Sequence, residues 1–429
     1  MQRLAVLSGG IMAGQILILL ASPVLTRLYS PAEFGVYAVF TALIGIVANV
    51  FTLRFEIAVP VAASDRQAAG FAALAVVASG LGCLLSLPVL WLGASWLSGA
   101  MEMPKLAVLL WVLPLATFVQ TIAETLSFWT VYRGTFQLNA LGRAIHGGAQ
   151  SVAQVALGLI GFSATGLIAG FVLGYLTRLL HLVRAISPAD RELLRGTPPA
   201  DLAPLLRKHW HYPAYATPAT LLEAGTQLLP ALLLATLYGP AVAGWFGLGQ
   251  RLMGLPVRLL SQAARQVFMA EAARRSRRSL YHLFLRLSMV FCGLAIIGLL
   301  PVLFFGPEIF SVLFGEAWRT SGEMVRLLVP LYLTRFVVTP VSHTLNVLGR
   351  QNVHLISSSL DACFLAGGFA AAWWLDLSPL TTILVFSLGS TTAYLVYFIL
   401  AWRVARAAAA NSDAQLQSSE AVALGEVVQ

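Results

Sequence analysis

The stretch LTRLYSPAEFGVY, Leu25 to Tyr37, recurs 209 residues later as LATLYGPAVAGWF, Leu234 to Phe246. Six positions hold the same residue in both copies: Leu25, Leu28, Tyr29, Pro31, Ala32 and Gly35 match Leu234, Leu237, Tyr238, Pro240, Ala241 and Gly244. In each copy Pro and Gly interrupt an apolar run, which is typical of a turn between two helices. The repeat therefore predicts two halves of similar structure.

The chain around the repeat has the composition of a membrane protein. Apolar residues make up 58% of its 429 residues and charged residues 10%, against about 25% charged in a soluble domain. Runs of about 20 apolar residues are long enough to cross a bilayer as helices. They can be placed twelve times, at roughly 5–26, 35–62, 68–97, 106–131, 140–161, 164–184, 213–237, 242–264, 284–305, 323–348, 354–375 and 379–402. These runs exclude a soluble protein and predict an all-α polytopic membrane protein with twelve transmembrane helices.

A cytoplasmic stretch with several prolines separates the first six spans from the last six. The predicted divisions are an N-terminal lobe at 1–186, a linker at 187–212, a C-terminal lobe at 213–405 and a disordered cytoplasmic tail at 406–429. Because each lobe has an even number of spans, both lobes insert in the same orientation. Such parallel repeats place the substrate between the lobes, around a central cavity.

The basic residues predict the orientation in the membrane. Of the 27 Lys and Arg residues, 18 fall in stretches on the side of the N-terminus, six lie within spans, and only Arg27, Lys105 and Arg319 fall on the other side. Cytoplasmic loops carry such an excess, so both termini are predicted to be cytoplasmic. The net charge of +9 is then explained by the membrane, and no nucleic-acid partner is expected.

The sequence lacks the machinery of the common enzyme classes. Its three cysteines, Cys83, Cys292 and Cys363, lie in apolar runs without metal-binding spacing, and no Walker A or nucleophile-elbow motif occurs. No exterior loop exceeds about 17 residues, which leaves little room for chemistry on an extracellular acceptor. We therefore expect a transporter without metal, cofactor or catalytic residues.

Arginines inside the spans are the first candidate site residues. A charge at the bilayer centre costs about 2.5–3.5 kcal/mol, so Arg54, Arg251, Arg258 and Arg335 are expected to face a wet cavity or a partner. Arg251 and Arg258 are seven residues apart, which places them on one helix face. Two alternatives stay open: Arg258 could snorkel to the interface, and Arg54 could form an ion pair with another helix.

Carboxylates inside the spans are the second set of candidates. Glu56, Glu124, Glu223 and Asp361 could bind H+ or Na+ in a coupled cycle, or serve as partners of arginines. Residues two apart do not face each other on a helix, so Arg54 and Glu56 are each expected to need a separate partner or a water-filled space.

Three segments carry a resemblance to a known family. Leu25 to Ala62, Pro230 to Leu252 and Leu313 to Pro330 resemble the Wzx-type polysaccharide biosynthesis proteins, and the similarity extends over about residues 1–405. These proteins belong to the multidrug/oligosaccharidyl-lipid/polysaccharide (MOP) exporter superfamily, with the MurJ lipid II flippases and the MATE transporters. The resemblance implies a two-lobed, MATE-like fold in the bacterial inner membrane.

The resemblance also implies a function. It implies a flippase that moves undecaprenyl-diphosphate-linked repeat units of O-antigen, lipopolysaccharide, capsule or exopolysaccharide from the cytoplasmic to the periplasmic leaflet. Expected partners are the lipid-linked oligosaccharide, the bilayer, an H+ or Na+ counter-ion, and a polysaccharide polymerase with its chain-length partner. In that family basic residues of helices one, two, seven and eight line a cationic cavity, and the matching residues here are Arg27, Arg54, Arg251 and Arg258. Helix seven carries only Glu223.

Two other functions compete with this interpretation. An ion-coupled drug antiporter of the same superfamily would share the fold and the repeat, but it would favour an acidic, aromatic cavity. A membrane glycan polymerase would need a large exterior loop with carboxylates or histidines, which the sequence does not supply.

Overall fold

The computed structural model gives the backbone over residues 2–272 and 277–427, and side chains over residues 12–410 except 199, 263, 265–267, 269–278, 346 and 351–352. Within these residues the chain is helical and contains no strand. The predicted tail, residues 406–429, lies mostly outside the described side chains. The all-α class predicted from the sequence is confirmed.

The helices follow one another with short connections. The first ten are α1 (Gln2–Leu28), α2 (Pro31–Phe51), α3 (Asp65–Ala100), α4 (Pro104–Leu109), α5 (Leu113–Tyr132), α6 (Phe136–Leu159), α7 (Ala164–Ala185), α8 (Pro188–Arg195), α9 (Pro199–Lys208) and α10 (Thr217–Tyr238). The last six are α11 (Pro240–Ala272), α12 (Arg277–Phe314), α13 (Arg319–Val341), α14 (His343–Val347), α15 (Gln351–Trp374) and α16 (Pro379–Val427). A 3-10 segment, Phe55–Val61, and a π-helical turn, Tyr212–Ala216, lie between them.

Each predicted span falls on one or more of these helices. Among the described residues, nine helical segments are long and apolar enough to cross a membrane. The predicted spans at 5–26, 140–161 and 242–264 are the ones outside this set, although each lies on a helix, α1, α6 or α11. The side chains of α1 are described only from Met12 onward, while α6 and α11 carry arginine and glutamine between their apolar residues. α1 is therefore outside the set because its described part is short, and α6 and α11 because of these polar residues.

The chain forms two compact units. Unit 1 comprises Met1–Leu248 and Phe310–Thr320, and unit 2 comprises Gly249–Ile309 and Ser321–Gln429. A core of unit 1 surrounds Phe40 on α2, Leu106 on α4 and Ile168 on α7. The core of unit 2 joins Phe268, Phe284 and Val341, which come from α11, α12 and α13.

The repeated stretches both form tight turns in unit 1. Before α2, the Ser30 hydroxyl and the Glu33 carboxylate form a capping box, and Pro31 occupies the first turn. Before α11, Gly239 has a φ of 82°, a left-handed value that favours glycine. The two copies of the repeat thus begin their helices differently, with a capping serine before α2 and a glycine before α11.

The two turns pack against each other and against Trp318. A Cβ added at Gly35 would overlap the carbonyl oxygen of Pro240, and one added at Gly244 would overlap that of Pro31. The fully buried Trp318 donates its indole N–H to the Thr26 carbonyl, at 3.0 Å. Backbone approach this close requires glycine at both positions.

The linker predicted at 187–212 is helical and lies on unit 1. Arg133 joins Asp190 of α8 at 2.6 Å, and Arg66 joins Asp201 of α9 at 2.7 Å. Leu193 and Leu205 pack beside a buried cluster that contains Phe55, Phe71 and Trp129. The Arg66–Asp201 pair is exposed and contributes little to stability. The linker is therefore held mainly by these apolar contacts and by the less exposed Arg133–Asp190 pair.

Candidate functional site

An ion pair forms where α2 ends. The helix stops at Phe51, and Leu53 and Arg54 adopt left-handed φ values of 49° and 61°. This turn brings Nη1 of Arg54 to 2.8 Å from Oε1 of Glu56 and 3.1 Å from Oδ1 of Asn49. The expectation that Arg54 and Glu56 need separate partners is therefore wrong, because the single helix assumed over 35–62 ends at Phe51, before both residues.

A second cluster of charges joins three helices of unit 1. The carboxylate of Glu124 on α5 receives Nη1 of Arg178 at 2.7 Å and Nη2 of Arg143 at 3.2 Å. Arg178 on α7 is only 2% exposed, and its guanidinium also donates to the Ser127 hydroxyl. A buried arginine needs such partners, since an unpaired charge in a low-dielectric interior is very costly.

Polar residues continue from this cluster along α6. Asn139 accepts a hydrogen bond from Nε of Arg143 at 3.3 Å. One turn further on, the imidazole of His146 lies 4.2 Å from the Tyr175 ring, and Gln150 donates to the hydroxyl of Tyr37 at 3.0 Å. The polar stripe of α6 thus contacts α2 and α7, two other helices of unit 1.

Unit 2 contains a third set of charges. Nη2 of Arg335 on α13 lies 4.0 Å from Oδ2 of Asp361 on α15, and the Ser390 hydroxyl donates to Oδ1 of Asp361 at 2.6 Å. The guanidinium of Arg335 also stands 5.1 Å from the centre of the Tyr394 ring, a favourable distance for a cation–π contact. Arg335 and Asp361 are both largely buried, so each compensates the burial of the other.

The other candidate residues are more exposed than Arg335 and Asp361. Arg27, Glu223 and Arg258 are exposed, and Arg251 is half-exposed. Nε of Arg258 lies 3.4 Å from the carbonyl oxygen of Gly254, one turn earlier on α11. Arg251 and Arg258 both belong to unit 2, whereas Arg27 and Glu223 belong to unit 1.

Positive charge exceeds negative charge among these residues in each unit. In unit 1, Arg54, Arg143 and Arg178 accompany Glu56 and Glu124, while in unit 2, Arg251, Arg258 and Arg335 accompany Asp361. Guanidinium groups bind phosphate with charge-assisted and often bidentate hydrogen bonds. The described residues contain no cluster of histidine, cysteine and carboxylate side chains suited to a metal ion. Both sets of charges therefore suit an anionic ligand.

Two residues of the unit 1 cluster are absent from the predicted site. They are Arg143 of α6 and Arg178 of α7. Arg143 did carry a signal, because it lies on the polar stripe that includes Asn139 and His146. Arg178 carried none beyond being an arginine in an apolar helix, since its partner Glu124 is 54 residues away.

Comparison with known families gives one match over most of the chain. Residues 24–323 match the model of a family described as polysaccharide biosynthesis protein. No curated protein matches the chain significantly.

Solved structures with a similar fold are membrane transporters and a flippase. One is the inward-facing conformation of a multidrug resistance MATE family transporter of the MOP superfamily, with a TM-score of 0.69 and 15% identity over 95% of each chain. Another is the lipid II flippase MurJ in an inward closed conformation, with a TM-score of 0.71 and 12% identity over 96% of this chain and 91% of that one. The eukaryotic MATE transporter AtDTX14 has a TM-score of 0.60 and 13% identity over 96% of this chain and 98% of its own.

Identities this low show the fold alone. The fold is the MOP-like, MATE-like fold that the sequence predicts. The proteins of these solved structures are transporters and a flippase, and the family match is to polysaccharide biosynthesis proteins.

Proposed function

The chain belongs to the polysaccharide biosynthesis protein family, and on that premise we propose that it is a flippase for undecaprenyl-diphosphate-linked oligosaccharides. Its substrates are repeat units of a bacterial surface polysaccharide, which it moves from the cytoplasmic to the periplasmic leaflet of the inner membrane. Both termini are cytoplasmic in this proposal, in keeping with the excess of Lys and Arg on that side.

The excess of arginine over carboxylate at membrane depth is the observation that carries this proposal. A lipid-linked oligosaccharide has three parts: an apolar prenyl chain, a diphosphate and a polar glycan. The diphosphate is the part that a bilayer excludes most strongly, and its transfer needs cations along the path. Arg251, Arg258 and Arg335 lie on helices long enough to reach that depth, and Arg54 follows the end of α2. All four are suited to this task.

The mechanism that fits these residues is alternating access. With the cytoplasmic side open, the diphosphate binds arginines and the glycan occupies a polar cavity, while the prenyl chain stays in lipid. A change to an outward-open arrangement then releases the glycan on the periplasmic side, where a polymerase consumes it. The enzyme that builds the repeat unit supplies the substrate on the cytoplasmic side.

The carboxylates differ in their suitability for a coupling ion. Glu124 and Asp361 each contact an arginine, and Glu56 pairs with Arg54, so their charges are already balanced. Among the described residues, Glu223 of α10 is exposed and makes no ion pair with an arginine. We therefore assign coupling by H+ or Na+ to Glu223.

The test of the flippase is the location of the lipid-linked repeat unit in cells that lack this protein. We expect the complete repeat unit to accumulate on the cytoplasmic side, where a glycan-specific probe added outside spheroplasts does not reach it. Complementation with the intact gene should restore surface polysaccharide. Accumulation on the outer side would instead indicate a polymerase.

The drug-antiporter alternative gives a different result in the same cells. The MATE-like fold is compatible with it, but the described intramembrane carboxylates are mostly paired with arginine. A cell lacking an antiporter would show increased sensitivity to cationic drugs and normal levels of the lipid-linked repeat unit. That outcome would replace the flippase proposal.

A further inference from the structure

An apolar groove opens on unit 2 beside a kink in α12. At the kink, Phe305 has non-helical dihedral angles, φ −118° and ψ 18°. Pro307 follows it, and a proline inside a helix removes a backbone hydrogen bond and bends the helix. The groove has a volume of about 400 Å³ and is lined by Leu303 and Phe304 of α12, Arg326, Leu327 and Pro330 of α13, and Leu384 of α16. All of these residues belong to unit 2.

The groove begins where close packing between α12 and α13 ends. A Cβ added at Gly306 would lie 2.9 Å from the carbonyl oxygen of Gly322, and one added at Gly322 would overlap the carbonyl of Gly306. The two backbones are therefore in contact directly after Phe305. Directly before it, Leu303 and Phe304 are 38% and 63% exposed. The kink thus separates a tightly packed part of α12 from a part whose apolar side chains form one wall of the groove.

An acyl chain is the ligand that suits these walls. Five of the six lining residues are apolar, as expected of a surface that lipid covers rather than water. In the orientation proposed above, α13 begins on the periplasmic side at Arg319. At 1.5 Å per residue, Arg326 lies about 10 Å from that end of the helix, within the outer half of a hydrocarbon core about 30 Å thick. A lipid of the outer leaflet therefore reaches the groove.

Arg326 is the charged member of the lining. It stands beside the kink, since its Cβ lies 3.6 Å from a Cβ added at Gly306. Its side chain is exposed and, within the part of the chain that the structure describes, makes no hydrogen bond or ion pair. A cation at membrane depth is costly without a partner. The phosphate of a phospholipid would supply that partner together with the acyl chain.

Glu323 lies on the same side of α13, three residues closer to its outer end. Residues three apart are neighbours on a helix surface, yet Glu323 and Arg326 form no ion pair, and no other described residue pairs with Glu323. The carboxylate is about 4.5 Å further out along the helix than the arginine. In phosphatidylethanolamine an ammonium group follows the phosphate after two carbons. A headgroup that points outward therefore matches both charges.

We propose that the groove of unit 2 binds one molecule of phosphatidylethanolamine, with an acyl chain between α12, α13 and α16, the phosphate on Arg326 and the ammonium on Glu323. The acyl chain, phosphate and ammonium match the apolar walls, the cation and the anion in the order in which these occur outward along α13. Phosphatidylglycerol satisfies only the walls and Arg326, and diacylglycerol satisfies only the walls. The site depends on the membrane orientation proposed above and not on the flippase activity.

Native mass spectrometry of the full chain in detergent tests the site with these three lipids, all carrying the same acyl chains. The wild type should bind phosphatidylethanolamine most tightly and diacylglycerol least. Arg326→Gln should weaken phosphatidylethanolamine binding by about tenfold, as expected for loss of a charge-assisted hydrogen bond. Glu323→Gln should bind phosphatidylethanolamine and phosphatidylglycerol equally, because only the partner of the phosphate remains. Since Arg326 is exposed and unpaired among the described residues, its replacement leaves no buried group without a partner.

Filling the groove tests the position of the acyl chain. Leu384 is 37% exposed and lines the groove, so Leu384→Trp should weaken binding of both phospholipids while both charges remain. Leu395→Trp is the matched control, because Leu395 is 48% exposed on the same helix but lies outside the lining. Lys105→Gln is the control for charge, since Lys105 is an exposed cation of unit 1. Both controls should bind phosphatidylethanolamine like the wild type.

Three results would overturn the site. The first is wild-type affinity for phosphatidylethanolamine in Arg326→Gln, and the second is equal binding of phosphatidylethanolamine and diacylglycerol by the wild type. The third is displacement of the bound phospholipid by farnesyl phosphate, because the groove would then hold the prenyl chain of the carrier. None of them changes where the lipid-linked repeat unit accumulates in cells, so the flippase proposal stands or fails separately.

Discussion

Gly35 of α2 and Gly244 of α11 occupy equivalent positions of the repeated stretch, and each lies against the carbonyl of the proline that begins the other's helix. Gly35 approaches Pro240, and Gly244 approaches Pro31. The contact is therefore reciprocal, as expected when two related turns pack about a local twofold axis. It explains why glycine and proline are among the few residues shared by the two copies.

Alanine at Gly35 or Gly244 is expected to destabilise unit 1. The added Cβ would meet backbone atoms that cannot move away as a flexible side chain can, and overpacking of this kind costs about 1–3 kcal/mol. Thermal unfolding of the purified variants in detergent should show a lower midpoint for each. Gly293→Ala is the control, because no atom lies within 4 Å of its added Cβ. An unchanged midpoint for Gly35→Ala would contradict the close packing of the two turns.

Arg178 is expected to matter most for stability among the charged residues of unit 1. Arg178→Gln would leave Glu124 with only its weaker contact to Arg143 and would remove the bond to Ser127. Breaking a buried ion pair costs about 3–5 kcal/mol. Arg66→Gln, which breaks an exposed pair, should cost at most about 1 kcal/mol. Denaturation of both variants measures the difference, and similar losses would mean that Arg178 is not buried as described.

The sequence predicts the helices well because a membrane span leaves a long and simple signal. Twelve apolar runs correspond to helices, and the repeat identifies the turns at Pro31 and Pro240. The break after Phe51 escaped prediction because apolar residues still alternate with Thr52, Arg54 and Glu56 through Val61, and no glycine or proline occurs before Pro60 to mark the end of the helix. The left-handed backbone at Arg54 depends on tertiary packing.

Side-chain partners were harder to predict than helices. Periodicity shows which residues share a face of α6, but it does not show which helix that face meets. Glu124 finds Arg178 across 54 residues, and Trp318 finds the Thr26 carbonyl across 292 residues. Nothing local to these residues encodes such pairs. The sequence thus identified polar helices and left open which of their charges are paired.

The contact between the linker, residues 187–212, and the rest of unit 1 is expected to weaken at acidic pH. His209, at the end of α9, lies with its ring 4.9 Å from that of Phe71 and its Nε2 3.3 Å from the amide of Gln67. Burial lowers the pKa of the His209 imidazole, and the charges of His211 and Lys208 lower it further. The folded chain then binds fewer protons than the unfolded chain, so this contribution to stability is present above pH 6.5, the usual histidine value, and is lost as the pH falls below about 6.5.

Limited proteolysis of the linker measures this effect. Cleavage within residues 187–212 should become faster as the pH is lowered from about 7.5 to about 5.5, after correction for the pH dependence of the protease on an unfolded substrate. His209→Gln should remove most of the change, because glutamine does not titrate in this range. Equal acceleration in the wild type and in His209→Gln would show that another group is responsible.

Glu223→Gln is expected to separate coupling from folding. Glu223 is exposed on α10 and makes no ion pair among the described residues, so its neutralisation leaves no buried charge unbalanced. Surface substitutions of this kind change stability by about 0.5 kcal/mol or less. If Glu223 carries the coupling ion, the variant loses the stimulation of transport by an H+ or Na+ gradient and keeps exchange in the absence of a gradient. Proteoliposomes with an imposed gradient and a fluorescent prenyl diphosphate oligosaccharide measure both rates.

Glu192→Gln on α8 is the control. Glu192 is an exposed carboxylate of the linker, and the variant should keep the stimulation. A Glu223→Gln variant that responds to the gradient as the wild type does would exclude Glu223, and coupling would then have to come from a carboxylate that gives up its arginine during the cycle.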